Sequence, residues 1–244
     1  MNSTKSNLLA KNKKPIFKNN NLTQLFKLIS EKRVFFALIL ATLVSQLSIT
    51  YYVSENVKIE DEEDKNKDTK KFNSKLIGAY VAIFVIILIL AFITMPPWLK
   101  FILFSLFSTA FGVILGYRKS GIDPAIVKSA LVGTASIFVT MFTFGVALIA
   151  SGIKLGFKFG LGLLIALFFL IIVTIVQFFI PESSLLKKIL VIGSLMVFSL
   201  YIMYDTNNIL QRNYYGDFIT ASLDYYLDII NIFSGLLSGL EFDD

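Results

Sequence analysis

From Val34 onward the chain is a succession of apolar blocks, each close to 20 residues long and separated by short polar connections. A helix rising 1.5 Å per residue needs about 20 such residues to cross a hydrocarbon layer about 30 Å thick. This pattern predicts helices near 34–54, 74–95, 98–118, 125–150, 158–180, 187–211 and 217–240. Four of the five prolines (Pro96, Pro97, Pro124 and Pro181) fall between blocks, where a missing N–H costs least. With 55% hydrophobic residues and a mean hydropathy of +0.71, the chain is too apolar for a soluble domain, whose surface needs charge. The expected class is an all-α polytopic membrane protein with seven transmembrane helices.

Cysteine and histidine are both absent. Disulfides and thiolate metal sites are therefore excluded, and any response to pH near neutrality falls to carboxylates. The net charge of +6 is spread over short loops and one tail rather than gathered in a stripe, which argues against nucleic-acid binding. Residues 1–32 read as a polar, basic, disordered tail that holds the N-terminus in the cytosol. Residues 33–244 form the membrane domain, and seven crossings place the C-terminus on the far side. Within that domain the acidic loop 55–72 contains Glu60-Asp61-Glu62-Glu63-Asp64 but lacks the spacing of a calcium loop, so it reads as solvated. Gly152, Gly156 and Gly160 are interrupted by Lys154 and Lys158 and read as a turn at the membrane surface.

The last two blocks are where acids interrupt apolar sequence. Gly216-Asp217 is a turn signal, with Asp217 a natural helix N-cap. Folding there makes an antiparallel hairpin in which Asp205 lies 11 residues before Gly216 and Asp228 lies 12 after it. Each acid then sits roughly 17 Å below the hairpin tip, near the middle of the membrane. Asp224 lies four residues before Asp228 on the same helix face. These acids could instead pair with lysines or cap backbone groups, but no lysine or arginine occurs in the apolar middle of any block. The remaining ways to keep two close acids buried are a shared proton, a bound cation or water. Asp205 and Asp228 are thus expected to form a proton-controlled latch between the last two helices. Asp224 joins them on a possible Ca2+ path.

Ser199-Leu200-Tyr201-Ile202-Met203-Tyr204-Asp205-Thr206 and Tyr226-Leu227-Asp228-Ile229-Ile230-Asn231-Ile232-Phe233 resemble the signature of the transmembrane Bax inhibitor motif (Bax inhibitor-1) family. The match is specific in these two stretches and looser from about Val34. The resemblance implies seven helices with the last surrounded by the others, and a pH-sensitive calcium leak. It implies suppression of cell death through calcium stores, with membrane cell-death regulators as partners beside the lipid bilayer, Ca2+ and protons. Family aspartates with a proton-sensing role fall on Asp205 and Asp228. No cofactor is implied, Ca2+ being the permeant ion. Some bacterial members carry Glu and Arg on the second helix, whereas Phe84 to Met95 here has no charge. The second half of the gate is therefore unassigned, with Lys100 and Arg118 as the available substitutes. The membrane is expected to be the endoplasmic reticulum or Golgi in a eukaryotic or viral setting, and the plasma membrane in a bacterium.

Two other functional classes compete. A helical bundle that binds membrane proteins and conducts nothing would share this sequence pattern. An intramembrane aspartyl protease would place Tyr-Asp and Gly-x-Gly-Asp on neighbouring helices, and Tyr204-Asp205 with Tyr215-Gly216-Asp217 is a superficial likeness. Position 214 is Tyr rather than Gly, and no Pro-Ala-Leu follows. The expectation is that the chain is not an enzyme.

Overall fold

A computed structural model describes residues 19–57, 68–179, 184–211 and 217–241. Among these residues it contains seven helices: α1 (Asn19–Asn56), α2 (Asp68–Phe92), α3 (Pro97–Lys119), α4 (Pro124–Ala150), α5 (Phe157–Phe179), α6 (Ser184–Gln211) and α7 (Phe218–Glu241). The boundaries follow the sequence chemistry. Pro96 is extended ahead of α3 and Pro97 opens its first turn. At α4, the Asp123 side chain accepts the Ala125 amide at 2.7 Å, and Pro124 again opens the helix. Gly152, at φ 80°, turns the chain out of α4.

Two boundaries differ: α2 begins at Asp68, six residues ahead of the expected start and inside the expected loop 55–72, and α1 begins earlier than expected. Residues 19–32, expected within a disordered tail, belong to α1. Leu22, Leu25, Phe26 and Ile29 recur at the three- and four-residue spacing of a helix, a signal outweighed in the reading by the surrounding Asn and Lys. The rest of the tail, residues 1–18, lies outside the described residues, as do the acid run Glu60 to Asp64, Pro181 and Gly216.

Among the described residues, five helices are long and apolar enough to cross a membrane: α1 from Ile29, α3, α4, α5 as far as Gln177, and α6. The apolar stretch of α2 is shorter, at Leu76–Leu90, and α7 carries Asp224 and Asp228 along its length. The protein is a multi-pass helical membrane protein organised around α7. That helix packs against α6, α4, α1 and α3, while α2 leans on α3 and α5 on α6. Burial follows this arrangement. Tyr225, Tyr226, Ile232 and Leu237 of α7 are fully enclosed, whereas Leu164, Ile165, Phe168 and Phe169 of α5 face outward. Apolar side chains therefore cover the outside, and the polar ones gather within.

Buried hydroxyls tie α7 to its neighbours. Thr50 of α1 meets the Tyr226 hydroxyl at 2.5 Å, Thr206 of α6 meets that of Tyr225 at 2.7 Å, and Ser222 donates to the Ile39 carbonyl at 2.9 Å. Lipid tails offer no hydrophobic gain for helix association, so such bonds and close backbone approach carry the packing. Close approach is clearest between α1 and α3. A Cβ at Gly112 would lie 2.8 Å from the Thr50 carbonyl oxygen, and one at Gly116 would lie 2.9 Å from that of Ser54. Gly112→Val and Gly116→Val should each cost about 1–3 kcal/mol by forcing the two helices apart. Gly78→Ala, with open space around it, should leave the melting temperature of the detergent-solubilised protein unchanged or slightly higher. Equal melting temperatures for all three variants would show that the α1–α3 contact is not backbone-limited.

Candidate functional site

Asp205 sits three-quarters of the way along α6, and Asp228 lies near the middle of α7. The two helices run alongside one another, and the structure brings the two carboxyl groups within hydrogen-bonding reach. Both are buried, at 8% and 5% exposure. Asp228 Oδ2 and Asn208 Oδ1 are enclosed without a hydrogen-bond partner. A contact between two carboxyl groups is a hydrogen bond only if a proton lies between them. Otherwise a cation or water must hold the oxygens apart.

Asp224 stands within electrostatic reach of both acids. Among the described residues no three acidic side chains converge as a metal cage, which makes Asp224 a charged neighbour of the pair rather than a third ligand at one point. Tyr201, one turn before Asp205, lies within electrostatic reach of both members. Among the described residues no lysine or arginine forms an ion pair with Asp205 or Asp228.

The basic residues considered as gate partners lie elsewhere. Lys100 of α3 pairs with Asp217 at 2.5 Å and donates to the Thr220 hydroxyl at 2.8 Å, closing a clamp at the start of α7. Asp217 also caps that helix, accepting the Thr220 amide at 3.0 Å. Arg118 donates to the Ser234 carbonyl at 3.0 Å and to the Ser238 hydroxyl, bracing the other end of α7. Asp217 is thus engaged with Lys100, and the carboxyl group within hydrogen-bonding reach of Asp205 is that of Asp228. The basic clamp escaped the sequence reading because Lys100 and Asp217 are 117 residues apart. The N-cap at Asp217 was its one legible half.

Two further contacts frame the site. Lys32 of α1 donates to the Ile209 carbonyl at 2.7 Å, capping the end of α6 beyond Asp205. Asn207, two residues after Asp205, binds the α4–α5 turn: it accepts the Leu155 amide at 2.8 Å and donates to the Ile153 carbonyl at 3.2 Å.

A family model described as inhibitor of apoptosis-promoting Bax1 matches residues 27–244. The chain belongs to the Bax inhibitor family. Among curated relatives of this Bax inhibitor chain, Protein LIFEGUARD 4 of Arabidopsis thaliana is 28% identical over 176 residues, covering 66% of this chain and 68% of the relative. Bax inhibitor 1 of Schizosaccharomyces pombe is 31% identical over 159 residues, covering 63% of this chain and 58% of that protein. The Golgi anti-apoptotic protein of Vaccinia virus (strain Lister) is 36% identical over 84 residues, or 34% of this chain and 35% of the viral one.

The clamp at the start of α7 has a definite pH signature. Burial raises the pKa of the Asp217 carboxyl, but the bonds from Lys100 and Thr220, together with the Lys100 charge, outweigh it and hold the group below its ordinary value. A depressed folded-state pKa contributes stability above the unfolded value, and that contribution is lost as pH falls through the folded one. Asp217→Asn should therefore lower the melting temperature at neutral pH. The gap to the wild type should close as the medium is acidified below the ordinary carboxylate range. A pH-independent gap would show that the carboxyl acts through its capping geometry alone.

Proposed function

We propose that this Bax inhibitor family protein is a pH-sensitive calcium leak whose latch is the Asp205–Asp228 pair. The single observation that carries the reading is the burial of two carboxyl groups against one another, without a basic partner among the described residues. With one proton between them the pair draws α6 and α7 together. Without it, two negative charges in a setting of low dielectric repel strongly. The helices then separate, or a divalent cation enters between the oxygens. Asp224, on the same face of α7, supplies an auxiliary contact for Ca2+ along the path. The pair titrates as a unit, so its pH response belongs to both residues together.

The wider role proposed is control of cell death through calcium stores of an endomembrane. It is supported by the description of the family and by the name of the viral relative, a Golgi anti-apoptotic protein. The same names suit a second reading, in which the bundle conducts nothing and restrains death by binding membrane cell-death regulators.

Reconstitution into liposomes loaded with a calcium dye tests both. The wild type should pass Ca2+ with a flux that changes severalfold across the neutral pH range. Asp205→Asn and Asp228→Asn should each flatten that profile, since an amide neither donates nor loses the shared proton. An unchanged profile in both variants would end the latch. Absence of flux at every pH, with partner binding retained, would favour the non-conducting reading.

A further inference from the structure

A cleft of about 490 Å³ lies between α1, α3, α4 and α7, and neither Asp205 nor Asp228 lines it. Its walls are apolar: Leu47 of α1, Phe111 and Leu115 of α3, Val127 and Leu131 of α4, and Ile230 of α7. Along α1 the lining runs from Val44 to Glu55. The helical rise between them is about 16 Å, half of a hydrocarbon core about 30 Å thick. The cleft therefore has the depth of one leaflet. It opens sideways, since Val44 and Leu131 are 61% and 57% exposed and α1 touches α4 far less than it touches α3. An occupant enters from the bilayer.

The polar end of the cleft is formed by Glu55 near the end of α1 and Lys119 at the end of α3. They are the charged residues of its lining, and they pair with one another. Lys119 also stands 5.8 Å from the centre of the Tyr51 ring. The charges of the rim cancel. An anionic head would have to part Lys119 from Glu55, and a cationic head would have to part Glu55 from Lys119. Ser48 and Ser54 add hydroxyl oxygens to the lining, and a hydroxyl oxygen accepts a bond from an uncharged donor. Volume limits the body. At roughly 30 Å³ per non-hydrogen atom, the share of one water in the liquid, about 16 such atoms fit, too few for two acyl chains. The walls are also stiff, with β-branched Val44, Val127, Ile229 and Ile230 and the rings of Phe111 and Phe233. A rigid occupant gives up less freedom against them than a flexible chain does. We propose that this cleft binds a sterol from the surrounding leaflet. Its hydroxyl lies beside Ser54 and the Glu55–Lys119 pair, its fused rings rest on Leu47, Phe111 and Ile230, and its tail leaves between Val44 and Leu131.

The full chain, reconstituted in phosphatidylcholine vesicles, is tested with a photoactivatable cholesterol as the probe. The wild type should be labelled on α1 and α4 within the lining, and excess unlabelled cholesterol should reduce that labelling severalfold. Leu131→Trp, which fills the opening from an exposed position, should reduce it severalfold at an unchanged melting temperature. Leu164→Trp, on the outward face of α5, should change nothing. Palmitate should compete poorly with the probe on the wild type. Glu55→Gln leaves Lys119 without its acid, so palmitate should compete severalfold better on that variant.

Labelling that unlabelled cholesterol does not reduce would overturn the site, as would unaltered labelling in Leu131→Trp or an equal loss in Leu164→Trp. Competition on the wild type by monoolein or palmitate equal to that of cholesterol would assign the cleft to single-chain lipids and end the sterol proposal. No gain of palmitate competition in Glu55→Gln would refute the charge cancellation that selects an uncharged occupant.

Discussion

A carboxyl group at depth in a bilayer has to turn away from lipid, and two of them on adjoining helices require a wall on every remaining side. That requirement explains why α7 is the axis of the bundle. Its neighbours α1, α3, α4 and α6 enclose it, and the outermost helix, α5, offers phenylalanine and isoleucine to the surroundings. The burial pattern is inverted relative to a soluble bundle, with Gln46, Thr50, Ser108, Asn207 and the two acids inside.

Enclosure alone would not fix the orientation of α7, and its bonds supply the rest. Lys100 holds its first turn, its own Ser222 donates to Ile39 of α1, Thr50 and Thr206 engage Tyr226 and Tyr225, and Arg118 grips its last turns. Tyr225 and Tyr226 point to different neighbours, one to α6 and the other to α1, with their rings edge-on against Phe138 and Phe104. Rotating α7 about its own axis would break both hydroxyl contacts at once. The Asp228 carboxyl is therefore aimed by residues two and three positions before it.

Much of this was legible in sequence because membranes simplify the code. Block length located all seven helices to within a few residues, apart from the early starts of α1 and α2, and the prolines marked α3 and α4. The equal depth of Asp205 and Asp228 followed from counting outward from Gly216, since helical rise converts residue number directly into distance. What counting does not convey is rotation. Whether Asp224 joins the pair at one point depends on about a hundred degrees per residue around α7, and on where α6 stands. The Lys100–Asp217 clamp and the Arg118 brace depend on which helices become neighbours, and nearly uniform apolar faces carry almost no information about that choice. The side chains that decide it are small or polar, such as Gly112, Gly145 and Thr50, and no spacing rule singles them out.

Asn207 links the acid-bearing part of α6 to the turn between α4 and α5, and Gln211 reinforces it through the Leu155 carbonyl at 3.2 Å. A Cβ at Gly145 would approach the backbone of Met203 to 2.7 Å, so α4 and α6 touch almost without intervening side chains. The part of α6 that bears Asp205 is consequently tied to α4, to α5 and to the turn between them. On the proposed latch, parting of the two carboxyls would displace these packed helices together against α7, rather than swing a single one.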